Sequence, residues 1–228
     1  MKILIVTPMQ EELRFIVKRF TKQGFQAENA MAGKLPIVRI PELGITLGRG
    51  GTGKAQFALQ TQHLLDSCVD RHLVICAGAA GGLVDGLAIG DVVVATTTVE
   101  HDYNNKFSNR PVPRFDGAPS TISRLKAVPL SNNSFKVHFG TVASGDEDVV
   151  DTERRRTLHQ STNALAVAWE GAGGARAARF SNVPFVEIRG VTDTADHDAP
   201  SDFKKNLETA MRNVATFIMS WITDVEQR

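Results

Sequence analysis

The chain has little cysteine: two residues, Cys68 and Cys76, in a length of 228. Two thiols build neither a disulfide framework nor a cysteine metal cluster, so the chain reads as a cytoplasmic resident of a reducing compartment. It has no apolar run near the roughly 18 residues that a membrane helix needs, which argues against a membrane partner. The opening MKILIVTPMQEEL carries one lysine and a short apolar run, and it reads as a first strand rather than a secretory signal. Excess charge of one sign is also missing: 26 Lys and Arg against 25 Asp and Glu leave a formal +1. That balance speaks against a surface built for nucleic acid or anionic lipid. No HxxxH or HExxH pattern exists among the six histidines. The stretch DTADHD (193–198) has Asp and His close in sequence, but adjacent loop residues seldom converge on one ion. No metal and no cofactor is expected.

What is present is ordinary for a globular chain: 42% hydrophobic and 22% charged residues, with no repeat and no linker-like run. One domain over 1–228 is expected. Short apolar runs at Ile3–Val6, Ile45–Leu47, Leu73–Cys76, Val92–Ala95, Val137–Ala143 and Val183–Ile188 read as buried strands, with a further candidate at 164–168. Helical spacing relates Met9, Leu13, Ile16 and Phe20, and it places Phe57, Ala58, Thr61, Leu64 and Leu65 on one face. Phe203, Leu207, Met211, Val214, Ile218 and Trp221 trace one stripe over about five turns. Apolar strands alternating with helices predict an α/β fold, a three-layer α/β/α arrangement around a central, largely parallel or mixed sheet. Residues 100–135, poor in apolar positions, read as long loops around one short helix, a lid or part of a subunit contact.

Two glycine-rich segments follow strands. GRGGTGKA (48–55) matches GxxxxGK, but Ala55 stands where a phosphate loop needs Ser or Thr for magnesium, so NTP hydrolysis is disfavoured. CAGAAGGL (76–83) reads as a second tight turn and lacks a dinucleotide fingerprint. Ligands of open α/β sheets bind beyond the carboxyl ends of the strands. Glu12, glycines 78–82, Asp146, Glu170 and Asp193 all fall there. Each also has a plain structural reading: Glu12 and Glu170 as helix-start carboxylates, Asp193 as turn chemistry before the last helix.

MKILIVTPMQEEL (1–13), GGTGK (50–54), GAAGGLVDGLAIGDVVV (78–94), ASGD (143–146), AWEGAGGA (168–175) and VPFVEIRGVTDTAD (183–196) occur in one order along the chain. Taken together they resemble the nucleoside phosphorylase and nucleosidase superfamily, most closely its methylthioadenosine/S-adenosylhomocysteine nucleosidases. The resemblance implies cleavage of the N-glycosidic bond of a purine nucleoside and a homodimer in which a neighbour covers the pocket. It makes Asp193 the acid that protonates the purine, Glu12 the water-activating base, and Glu170 the acceptor for the ribose hydroxyls. Met9 and Phe203 match apolar positions lining the sugar and its 5′ substituent. Thr52, Gly78, Ala79, Val149 and Trp169 complete the expected substrate-binding set. Arg189 would support the acid loop or pair with a carboxylate.

This chain departs from the pattern in three places. Ala168-Trp169-Glu170 stands where Glu-Met-Glu is usual, Glu147-Asp148-Val149 where an aromatic group often meets the base, and Ala79 where serine is frequent. These changes leave the 5′ group and the purine open. Phosphorolysis needs cations for phosphate. Cys76 and Glu12 occupy positions where phosphorylases hold arginines, and Arg49 is the remaining candidate. A storage-like member that binds a nucleoside without turnover is the third reading.

Overall fold

The computed structural model describes residues 2–68, 72–108, 110–129 and 134–226. Strand β1 (Ile3–Thr7) leads into α1 (Gln10–Lys22), then a hairpin of β2 (Glu28–Ala32) and β3 (Leu35–Ile40), then β4 (Ile45–Arg49) and α2 (Lys54–Ser67). Two long strands follow, β5 (Leu73–Gly82) and β6 (Val92–Glu100), with a short β7 (Arg114–Asp116) and α3 (Pro119–Lys126). The remainder is β8 (Val137–Ser144), α4 (Thr152–Thr162), β9 (Ala164–Ala168), α5 (Gly171–Phe180), β10 (Phe185–Asp193) and α6 (Ala199–Glu226).

The strands join one mixed sheet in the order β10-β6-β8-β9-β5-β1-β4-β3-β2, with β7 on β6 and a further pairing of β10 with β5. That last pairing curls five strands, β5, β10, β6, β8 and β9, into a closed ring, so the sheet is not the open layer expected. Ala80, Val93, Ala95, Val142, Ala166, Ala168 and Val191, drawn from all five ring strands, pack together. Small side chains suit so narrow an interior.

Beside the ring the layered arrangement holds. Alternation along β1 sends Ile3 and Ile5 to a core shared with α1 and α6, and Leu4 and Val6 to one shared with α2 and α5. The α6 stripe is as expected: Leu207, Met211, Val214, Ile218 and Trp221 are buried. Among the described residues of 100–135 there is one short helix, α3, whose Ile122 and Leu125 join the main core, together with the unexpected β7. Among the described residues no helix is long and apolar enough to cross a membrane.

The segment 76–83 is a correction. It is no turn: β5 runs through Gly82, pairing with β10 from Val74 to Gly81 and with β9 at Gly81 and Gly82. Its glycines make room for neighbouring side chains. A Cβ on Gly78 would lie 2.6 Å from Arg189 Nη1 and 2.9 Å from Glu12 Oε1, and one on Gly81 would lie 2.8 Å from Asp193 Oδ1. Asp193 likewise ends β10 instead of following it.

Candidate active site

At the carboxyl ends of β1, β5, β8, β9 and β10 lies a cavity of about 410 Å³, a volume suited to a small organic ligand. Glu12, Glu170 and Asp193 all line it, and each is buried, at 2%, 5% and 7% exposure.

Glu12 is the third residue of α1. Its Oε2 accepts the amide of Met9, at the helix N-cap, at 2.8 Å, and its Oε1 accepts the amide of Ala79 on β5 at 2.8 Å. A solvated first-turn role falls instead to the exposed Glu11. Burial pushes the Glu12 carboxyl from 4.5 up to about 7; the Ala79 amide opposes this, nearby Glu170 adds to it, and the Met9 amide and Arg189 oppose it. The group is thus poised to take a proton near neutral pH.

Glu170 precedes α5. Its Oε1 accepts the Gly53 amide at 3.4 Å, and its Oε2 lies 3.3 Å from both terminal nitrogens of Arg189. Burial raises its carboxyl, against Arg189 and the Gly53 amide. Arg189, on β10, is fully enclosed. Its Nε donates to Glu187 Oε1 at 2.8 Å, Nη1 to the Ala79 carbonyl at 3.3 Å, and Nη2 to Cys76 Sγ at 3.4 Å. Burial opposes its charge, but Cys76, Glu187 and Glu170 outweigh that and hold it protonated. Of the two roles expected for Arg189, the bonds it makes support the pairing with carboxylates, Glu187 and Glu170.

Asp193 accepts the Thr192 hydroxyl at 2.8 Å and the Ala195 amide at 2.9 Å, in a turn where Ala195 takes a left-handed φ of 50°. Burial raises its carboxyl, against those two bonds. A raised carboxyl is what a proton donor at neutral pH needs. The register pairs Arg189 with Gly78 and Asp193 with Gly81. Glu12 and Asp193 thus flank β5 three residues apart, about 10 Å of strand.

Met9, Thr52, Ala79, Val149, Trp169 and Phe203 also line the cavity. Gly78 does not: it lies behind Arg189 and Glu12, admitting them rather than touching a ligand. Glu147 and Asp148 line the wall as well, with Glu147 bound through both oxygens to Arg154 at 2.6 Å.

In the GxxxxGK segment the amide and ammonium of Lys54 are engaged by carboxylates of the chain itself. Asp146 accepts the Lys54 amide at 2.8 Å at the start of α2, and Lys54 Nζ pairs with Asp102 and, at 3.7 Å, with Asp146. The expectation that 193–198 would not gather ligand atoms is partly corrected: those of Asp196, His197 and Asp198 lie within 4.8 Å of one another. The tight turn brings them together, yet the Thr194 hydroxyl and the Asp198 amide already occupy the Asp196 carboxylate.

Sequence reading missed Glu187, which sits in the run 183–188 as if an interruption of a strand. The signal that could have found it was period two: 187, 189 and 191 share a side of β10, up to a bulge that precedes Asp193.

A family model described as the phosphorylase superfamily matches residues 2–223. Among curated proteins, a "5'-methylthioadenosine/S-adenosylhomocysteine nucleosidase" of Shewanella denitrificans is 26% identical, covering 99% of this chain and 100% of that protein. One of the same name from an Exiguobacterium species is 28% identical over the full length of both. Among solved structures, a nucleosidase of that name from Helicobacter pylori, complexed with a pyrrolidine-linked pyrrolopyrimidine, superposes with a TM-score of 0.86 at 27% identity, over 98% of each chain. A structure titled futalosine hydrolase, also from Helicobacter pylori, matches with a TM-score of 0.86 at 27% identity, over 98% of this chain and 97% of that one.

Proposed function

This chain belongs to the phosphorylase superfamily, and from that premise we propose that it hydrolyses the N-glycosidic bond of a purine nucleoside, releasing the free base and the ribose derivative. The single observation that carries the reading is the convergence of three buried carboxylates, from α1, the β9–α5 junction and β10, on one cavity.

In this reading the bond from C1′ to N9 breaks and its electron pair goes to the base. Asp193 delivers a proton to N7, and its raised carboxyl supports that role. Water attacks C1′ as the sugar becomes cationic, and Glu12 takes the water's proton. Glu170 accepts the 2′ and 3′ hydroxyls, and its negative charge favours the cationic sugar. Met9 and Phe203 supply an apolar wall for the 5′ substituent, with Thr52, Ala79, Val149 and Trp169 around the rest of the nucleoside. No metal or cofactor has a part. Methylthioadenosine and adenosylhomocysteine are the first substrates to try, because relatives carry those names.

The reaction belongs to one domain spanning the chain, acting in the cytoplasm as a homodimer. Free, buried Cys68 and Cys76 support the reducing compartment. Leu59 on α2, 72% exposed, and Phe180 at the end of α5, 83% exposed, support a second copy as their cover. These helices pack together, with Gln62 bonded to Ser181 at 2.9 Å.

The test is incubation with methylthioadenosine, adenosylhomocysteine, adenosine and inosine, with and without phosphate. Free base and reducing sugar formed without phosphate support hydrolysis. Ribose 1-phosphate formed only with phosphate, or binding without turnover, overturns it.

A further inference from the structure

Glu187 has no part in the chemistry above, yet it is completely buried and central to the charged cluster. Burying a carboxylate and a guanidinium costs several kcal/mol per ion unless geometry and further hydrogen bonds compensate. Here they do. Glu187 Oε1 accepts Arg189 Nε at 2.8 Å, the shortest of the arginine's contacts, and its Oε2 accepts the Thr98 hydroxyl on β6. The start of α5 is shaped around it: a Cβ on Gly171 would collide with the Glu187 carboxylate.

The contacts of Arg189 are uneven. It is held closely at Nε by Glu187, whereas its terminal nitrogens stand 3.3 Å from Glu170 Oε2, longer than a charge-assisted bond usually is. A guanidinium free to move would close on Glu170 in a two-pronged pair and engage the lone pairs that ribose hydroxyls require. We infer that Glu187 is a positioning residue: by anchoring Arg189 at Nε and in turn being anchored by Thr98, it holds the guanidinium back from Glu170 and leaves that carboxylate open to the sugar diol. This rests on the reading of Glu170 as the ribose acceptor.

The test is Glu187→Gln, which keeps the shape and removes the anchoring charge. The readout is the ratio of kcat/KM for a purine ribonucleoside to that for its 2′-deoxy analogue, which a loss of stability alone does not move. The ratio is expected to fall at least fivefold, and a crystal structure of the variant is expected to show Arg189 drawn to within about 3 Å of both Glu170 oxygens. An unchanged ratio in an active variant, or an Arg189 that keeps its wild-type place, overturns the inference. If Glu187→Gln does not fold, Thr98→Val weakens the same anchor and should lower the ratio in the same direction. If the wild type cleaves no nucleoside, the proposed function fails, and the crystal structure still decides the placement of Arg189.

Discussion

Replacing Glu12 by glutamine separates the stability cost of the site from its chemistry. In the unfolded chain this carboxyl has its ordinary value of 4.5, and in the folded protein burial lifts it to about 7. At roughly 1.4 kcal/mol per tenfold change in affinity, the difference amounts to about 3 kcal/mol. The sign follows from proton counting. Below pH 4.5 both states hold the proton and nothing is lost. Between pH 4.5 and about 7 the folded state retains a proton that the unfolded state has released, so stability falls as pH rises. Above about 7 the whole cost is present.

The glutamine side chain cannot ionise, so the Glu12→Gln variant lacks this slope. It does carry a fixed penalty, because one of the amides of Met9 and Ala79 must face the new NH2 group. That penalty is the same at every pH. The raised carboxyls of Glu170 and Asp193 are common to both proteins and cancel to first order. Urea unfolding of wild type and Glu12→Gln at pH 5 and pH 8 should therefore show the wild type losing about 2.5 kcal/mol relative to the variant between those conditions, the rest of the cost being already present at pH 5. A difference independent of pH would refute the claim that Glu12 is buried with a raised carboxyl. The same ionisation should appear in catalysis, with kcat/KM of the wild type falling as pH drops below about 7.

Asp193→Asn should lower kcat by about 10²-fold or more while leaving KM nearly unchanged, since a proton donor acts in the transition state; steady-state kinetics on the best substrate measures it. Gly171→Ala should destabilise by about 1–3 kcal/mol in urea, although alanine is the better helix former, because its Cβ runs into the Glu187 carboxylate. Asp91 should show the pH dependence opposite to that of Glu12. Burial pushes its carboxyl up, but the Lys136 amide, the His138 ring and the Ala88 amide together hold it below its ordinary 3.8. Its stabilisation is present above pH 3.8 and lost as pH falls through the lower folded value, so the Tm deficit of Asp91→Asn should shrink in acid.

The site residues were readable through the resemblance of the ordered motifs, while local pattern by itself placed only the elements that carry some of them. β1 and α1 announce themselves by an apolar run followed by helical spacing, and Glu12 falls one residue before core-facing Leu13. The strand path through residues 77–82 was not readable, because six consecutive Ala and Gly residues look like a turn when only their own preferences are weighed. What overrides those preferences is pairing with β10 and β9. The ring closure was hidden for the same reason, being a property of partners distant in sequence. α4 gave little signal because only Leu158 and Thr162 are buried on an otherwise polar helix. Glu187 was hidden by its setting, since a carboxylate between Val186 and Ile188 has no local pattern to mark it.

The charge balance of the buried cluster ties stability to function. With Glu12, Glu170 and Glu187 all ionised, three negative charges face the single positive charge of Arg189 inside a protein interior. Burial in such an interior is the main cause of the elevated carboxyls of Glu12 and Glu170, and the neighbouring carboxylates add to it. In the proposed reaction the sugar becomes positive beside these two groups. The surplus negative charge that weakens the empty protein then has a counter-charge, present only in the transition state. An interaction stronger there than in the ground state accelerates the chemical step. It follows that substitutions neutralising Glu12 or Glu170 should lessen the stability lost as pH rises and slow catalysis together, because both effects arise from the same buried negative charge.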